Sequence, residues 1–183
     1  VWAWARPGDF AFAWYDRTGR RLDALPITSG KVVQPRLSPD DKKLVFTRVL
    51  SGMADLWLHD IASGATTQVT TDPEYDENAI WSPDSRMVAY QGNVDYQTAA
   101  LLAPVDGSQR PRPILRKEFY SLGSFTPDGK AVILTAIGKN GDTDLALVRL
   151  DGPGVPEMLS PEPGLQAEPA ISPDGQWLAF TTD

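Results

Sequence analysis

Apolar residues along this chain come in short runs, each cut off by a turn signal before a helical period is established. No apolar set at i, i+3 and i+4 persists, and 16 prolines with 15 glycines punctuate the 183 residues. The clearest run leaves the phrase "ISPDGQWLAF" (Ile171 to Phe180), in which Trp177, Ala179 and Thr181 alternate with Leu178 and Phe180, as on the two faces of a strand. The phrase recurs as "LSPDDKKLVF" (Leu37 to Phe46), "WSPDSRMVAY" (Trp81 to Tyr90) and "FTPDGKAVIL" (Phe125 to Leu134). Each reads as a hairpin turn. Ser or Thr ends one strand with a hydroxyl able to bond back to the turn backbone, and Pro presets φ at the first corner. Asp suits the second corner, and Gly takes the left-handed position that follows. Asp41 and Ser85 stand where the other turns have Gly129 and Gly175, at about 1 kcal/mol each if the left-handed conformation is kept.

Between these phrases lies a second series, "FAWYDRTGR" (Phe12 to Arg20), "LWLHDIASGA" (Leu56 to Ala65), "LLAPVDGSQ" (Leu101 to Gln109) and "ALVRLDGPG" (Ala146 to Gly154), each running an apolar strand into Asp and then Gly. Ser38, Ser82, Thr126 and Ser172 are spaced by 44, 44 and 46 residues; Asp16, Asp60, Asp106 and Asp151 by 44, 46 and 45. A period of about 40–45 residues built from short strands is the mark of propeller blades. Two hairpins per period, with short outer strands such as "TTQVT" and "RPILR", make a four-stranded antiparallel blade. The expected fold is therefore an all-β β-propeller of about 16 strands and negligible helix. It holds about four blades' worth of strands in one domain over 1–183: a partial blade at 1–30, blades at 31–73, 74–117 and 118–160, and a partial blade at 161–183.

Composition narrows the function classes. Hydrophobic residues at 42% and charged residues at 22% are the balance of a folded chain. A net charge of −7 argues against nucleic acid or an anionic membrane as partner. With no cysteine, disulfides and thiolate metal sites are excluded. No apolar run approaches the roughly 18 residues that span a bilayer, and "VWAWARPGDF" has neither the basic start nor the long apolar centre of a signal peptide.

The repeated "SPDG-x-x-L-A-F" with "D-L-W-L-x-D" resembles the TolB-type, WD-repeat-like β-propeller over nearly the whole chain. Such propellers occur in the periplasmic protein TolB, ahead of the hydrolase domain in prolyl-oligopeptidase-type peptidases, and at the C-terminal end of bacterial serine/threonine protein kinases. "FAWYDRTGRRLDALP…QPRLSPDDKKLVFTR…DLWLHDIASG" looks most like the kinase-associated kind. The resemblance implies a non-catalytic binding or scaffold propeller, a sensor or interaction module of a kinase-like protein, with a protein or peptide partner. The alternative is the gating propeller of a prolyl-oligopeptidase-type peptidase, or a TolB-like periplasmic interaction protein. It favours an extracytoplasmic compartment over the cytoplasm. The rival from another class is a small hydrolase using the acidic loop. No kinase glycine loop, "HRD", "DFG" or G-x-S-x-G elbow occurs in the sequence.

No residue is read as catalytic or metal-binding, and no cofactor is expected. His59, the only histidine, follows Leu-Trp-Leu within a strand and reads as structural. "TDPEYDEN" (Thr71 to Asn78) is the densest acidic stretch but lacks calcium-loop spacing, and reads as a solvated loop between blades. "RPRPILRK" (Arg110 to Lys117) reads as an outer edge strand. The tryptophans, including Trp14, Trp57, Trp81 and Trp177, read as inter-blade packing. The binding candidates are set by position: the segments leading into the innermost strands are Gln34-Pro35, Asn78-Ala79, Leu122-Gly123 and Glu168-Pro169, with small second residues that let blades converge near the axis. Gln34, Asn78 and Glu168, with Tyr75, Asp76 and Glu77, are where a ligand would be read.

The ends pose a closure problem. The chain opens on an outer pair (Phe10 to Tyr15, Arg21 to Thr28) and closes on an inner pair (Ala167 to Ile171, Gln176 to Thr181), whose free edges would be a liability. Pairing Gln176 to Thr181 with Phe10 to Tyr15 would close them, within one chain or, as the preferred reading, between two copies; an open, incomplete fan is the third reading. "VWAWA" (Val1 to Ala5) reads as a further second strand competing for that edge, which suggests a segment of a longer propeller.

Overall fold

The structure, a computed structural model, describes residues 2–4, 10–25, 30–116, 119–138, 141–160 and 164–183. Among them lie 17 β-strands and no helix. In chain order these are β1 (Trp2–Trp4), β2 (Phe10–Tyr15), β3 (Arg21–Ala24), β4 (Lys31–Leu37), β5 (Lys43–Leu50), β6 (Met53–Asp60), β7 (Thr66–Gln68), β8 (Glu77–Trp81), β9 (Met87–Val94), β10 (Gln97–Pro104), β11 (Arg112–Leu115), β12 (Phe119–Phe125), β13 (Ala131–Ile137), β14 (Thr143–Arg149), β15 (Glu157–Ser160), β16 (Gln166–Ile171) and β17 (Leu178–Thr182). Three complete four-stranded sheets, β4-β5-β6-β7, β8-β9-β10-β11 and β12-β13-β14-β15, are antiparallel meanders flanked by β1-β2-β3 and β16-β17. The protein is thus all-β and propeller-like.

The repeated turns form as their residues dictate. In each, the Ser or Thr hydroxyl donates to the turn aspartate at 2.5–2.6 Å. The same hydroxyl oxygen accepts the N–H five residues on, at 2.9–3.1 Å. Asp41 and Ser85 keep the left-handed φ of 59° and 60° that Gly129 and Gly175 adopt at 69° and 73°. Asp40, Asp84, Asp128 and Asp174 are held below the usual carboxylate range, first by that hydroxyl.

The innermost strands β4, β8, β12 and β16 lie side by side and form the wall facing the axis. Between sheets the core is continuous. Val45, Leu56 and Leu58 meet Val88, Tyr90 and Leu101 across one blade boundary. Ala89, Ala100 and Leu102 meet Phe125, Val132 and Leu134 across the next. A central blade is therefore buried on both faces. Six consecutive residues of β13, Ala131–Ala136, are buried, so the alternation expected after each turn is replaced there by a continuous buried run, apolar except at Thr135.

Three expectations are corrected at the chain's ends. The closing strand is Leu178–Thr182, because Gln176 and Trp177 belong to the turn. Trp177 is 74% exposed rather than packed between blades, since no further sheet covers that side of β17 among the described residues. Third, within one chain β17 does not pair with β2: β1 holds that edge of β2, in the register Trp2↔Phe12 to Trp4↔Phe10. The competition expected of "VWAWA" is resolved in favour of the nearer strand, whose loop closes at smaller entropic cost, and the fan stays open. The expected outer strand reached to Thr28; β3 ends at Ala24, and 26–28 lie outside the described residues.

Candidate functional site

The four dipeptides expected to lead into the innermost strands lie inside them instead, because each is a β-bulge that the ladder continues past on both sides. The register shifts at Val33/Arg36, Glu77/Ile80, Leu122/Ser124 and Ala167/Ala170. At three of them a non-glycine residue is left-handed: Gln34 (φ 54°), Asn78 (φ 57°) and Glu168 (φ 55°). An L side chain in this conformation costs about 1 kcal/mol or more, and the blade neighbours supply compensation at the first two. Gln34 Nε2 donates to Asn78 Oδ1 at 2.7 Å. The Asn78 N–H donates to Gln34 Oε1 at 3.1 Å, as does Thr47 Oγ1 at 2.9 Å. Leu122 offers no polar group in the next blade, so the relay stops there. Glu168 is exposed and not hydrogen-bonded to either.

Close approach of the wall depends on the small residues. A Cβ on Gly123 would lie 2.5 Å from Pro169 O, 2.6 Å from Pro169 Cγ and 3.0 Å from Ile133 O. No side chain larger than hydrogen fits.

The rim loop divides the remaining candidates. Tyr75 is 47% exposed, Glu77 is half-buried, and Asp76 is 1% exposed. The acidic stretch is therefore a solvated loop only up to Tyr75: Glu77 and Asn78 open β8, and Asp76 turns inward and is unable to meet a ligand at the surface. Burial pushes its carboxyl up from 3.8 to about 7, against a Thr70 hydrogen bond and with help from Asp72 and Asp55. The structure joins Gln34 to Asn78, leaves Tyr75 and Glu168 accessible, and withdraws Asp76.

His59 is buried in β6, with Nδ1 2.8 Å from Thr66 Oγ1, and desolvation lowers its pKa. Arg112–Leu115 forms the outer strand β11, and Arg112 Nη2 donates to Leu150 O of the next blade. Trp14 and Trp57 pack against Phe12 and Phe46, and Trp81 donates its indole N–H to Arg36 O at 2.9 Å. No cluster of three or more His, Cys, Asp or Glu able to hold a metal occurs among the described residues.

The structure adds a feature that the residue-by-residue reading missed. Where the Ser-Pro-Asp turns converge, all four inner strands border an open hollow of about 460 Å³. Its lining includes Pro39, Pro83, Pro127 and Pro173 with Leu37, Trp81, Phe125 and Ile171; Arg36 is its one charged member. The signal was in the repeat: the residue before each Ser or Thr is apolar and the residue after it is Pro. This mouth can take apolar side chains between rigid rings, with a cation at one side.

Comparison with known proteins fits this geometry. The TolB beta propeller domain family (PD40) matches residues 17–183. The uncharacterised peptidase YuxL of Bacillus subtilis (strain 168) is 25% identical over 164 residues, covering 87% of this chain and 23% of that protein. TolB from Acinetobacter baumannii superposes with a TM-score of 0.79 at 19% identity, over 96% of this chain and 44% of that one. A structure from a study of two prolyl endopeptidases gives a TM-score of 0.60 at 14% identity, over 82% of this chain and 26% of that one. The chain spans about a quarter of the curated relative's length and under half of the TolB chain. The structural likenesses speak to fold.

Proposed function

We propose, for a chain that belongs to the TolB beta propeller domain family, that it is a non-catalytic module that engages polypeptide at the mouth of its axis, as part of a peptidase-type or TolB-like protein. The observation that carries this reading is the apolar mouth assembled from all four inner strands. Proline and aromatic rings have little conformational freedom to lose on binding, which favours recognition of an extended chain. Peptidase and TolB relatives support it. Kinase attachment, which the sequence resembles, draws no support from the relatives described, and the sequence flanking this segment decides among the three. The free edge of β17 is where further blade strands, or a second copy, would join.

The test is titration of short extended peptides, apolar or proline-containing against polar controls, followed by Trp fluorescence. Apolar peptides should bind, and Leu37→Asp, at an exposed lining position, should weaken them at least tenfold without changing the unfolding midpoint. Equal binding of polar peptides would remove the reading. So would turnover of esterase, peptidase or glycosidase substrates that is lost on changing Asp76 or Glu77.

A further inference from the structure

The loop from Thr71 to the start of β8 crosses from one blade to the next at the axial end opposite the Ser-Pro-Asp turns. It is tied down at Asp76, whose N–H donates to Ala54 O on β6 at 2.9 Å. The Asp76 side chain fills the space that Gly92 leaves on β9: a Cβ there would collide with Asp76 Oδ1 and Leu101. Fully buried Tyr90 borders the same space, its ring edge 3.2 Å from that Cβ position. Neither Asp76 Oδ2 nor Tyr90 Oη has a hydrogen-bond partner. Six residues before the turn Ser or Thr, the other blades carry Val32, Tyr120 and Gln166. Gln166 is also buried, and its Oε1 accepts the Leu145 N–H at 3.4 Å. Only in this blade is that position an acid.

The surroundings decide its charge. The loop presents Asp72, with Thr70 hydrogen-bonded to the carboxyl; β6 presents Asp55, paired across the ladder with Arg48 of β5; β9 presents Tyr90 and β10 Leu101. Desolvation and the two neighbouring carboxylates all disfavour a negative charge on the buried Asp76. A neutral Asp76 adds no charge beside them.

We propose that Asp76 is a proton-operated latch, which holds the Thr71–Asp76 loop against β6 and β9 while its carboxyl is neutral and releases it on ionisation. Asn78, two residues on, carries the contact to Gln34 across the blade boundary, so release loosens the axial rim. The pKa is raised on folding from 3.8 to about 7, so the closed form takes up a proton. The stabilisation is complete below about pH 4 and is lost as pH rises through about 7. This inference is independent of peptide binding at the opposite mouth, and either can fail alone.

The experiment is a carboxyl and amide NMR titration of the 183-residue chain from pH 5 to 9. The Asp76 carboxyl should titrate within about one unit of 7, and the Gly92 and Asn78 amides should share its midpoint. Asp72→Asn should lower that midpoint. Asp76→Asn should abolish it and raise Tm at pH 8 above that of the unchanged chain. A midpoint below 5, or one near 7 that Gly92 and Asn78 do not follow, overturns the latch. If Asp76→Asn does not fold, the unchanged chain and Asp72→Asn decide.

Discussion

The two ends of the axial wall solve their local problems differently. At the turn end, four Ser/Thr-Pro-Asp corners repeat one hydrogen-bond pattern, with hydroxyl–carboxylate distances that agree to within a tenth of an ångström. At the opposite rim the equivalent positions hold Val32, Asp76, Tyr120 and Gln166, and unpartnered buried oxygens appear at Asp76 and Tyr90. A corner that must reverse the chain in a fixed direction leaves few chemical options, so the same residues return each period. The rim has no such task in common. Its residues answer to the neighbouring blade and to whatever the rim does, and there each blade differs.

The largest expected effect comes from closing the space on which the wall depends. Gly123→Ala would set a methyl against Pro169 and Ile133 backbone oxygens, atoms that yield only if β16 moves. Overpacking of this kind costs about 1–3 kcal/mol, and the upper end is expected here. Urea unfolding should show it. Gly152→Ala is the matched control, because its nearest neighbour is the Arg149 Cβ at 3.3 Å; a loss as large as that of Gly123→Ala would mean that the close approach of the blades is not the cause.

This contrast also explains what could be read from the sequence. Turns, blade period and strand order were legible because each rests on local chemistry repeated in phase: Ser38 does in its turn what Ser172 does 134 residues later. Gln34 and Asn78 were legible as positions, and their mutual hydrogen bonds follow from being 44 residues apart in adjacent blades. The inward turn of Asp76 was not. In the string it sits among Asp72, Glu74 and Glu77, and only Gly92, sixteen residues on and in another strand, makes room for it. The exposure of Trp177 was hidden for a related reason: whether an apolar residue is covered depends on the next blade, which lies outside its own repeat.

A smaller effect tests whether the turn end is as uniform in energy as in geometry. Ser82→Ala removes the buried hydroxyl that donates to Asp84 and accepts from the Met87 N–H. Loss of these two hydrogen bonds costs about 1–2 kcal/mol. The Asp84 carboxyl, held low first by that hydroxyl, should also titrate at higher pH. Ser172→Ala makes the same deletion in a turn open to solvent, where water replaces the lost bonds, and should cost less by urea unfolding. Equal losses would mean that burial does not set the worth of these corners.

The smallest effect separates two residues that the repeat treats as one. Asp41 and Ser85 both stand left-handed where glycine would be relaxed, and strain alone gives both a similar gain on substitution by glycine. They differ in what their side chains do. Ser85 is buried, and its Oγ accepts the Asp40 N–H at 3.1 Å, joining the turn of one blade to the turn of the next. Asp41 is exposed. Asp41→Gly should therefore stabilise the chain by about 0.5–1 kcal/mol. Ser85→Gly should come out near zero, because a net hydrogen bond of about 1 kcal/mol is lost with the strain. Thermal unfolding of the two variants side by side checks this. An equal gain for both would show that the bond between the turns adds nothing, and that adjacent blades are held at this end by the prolines and apolar residues of the mouth alone.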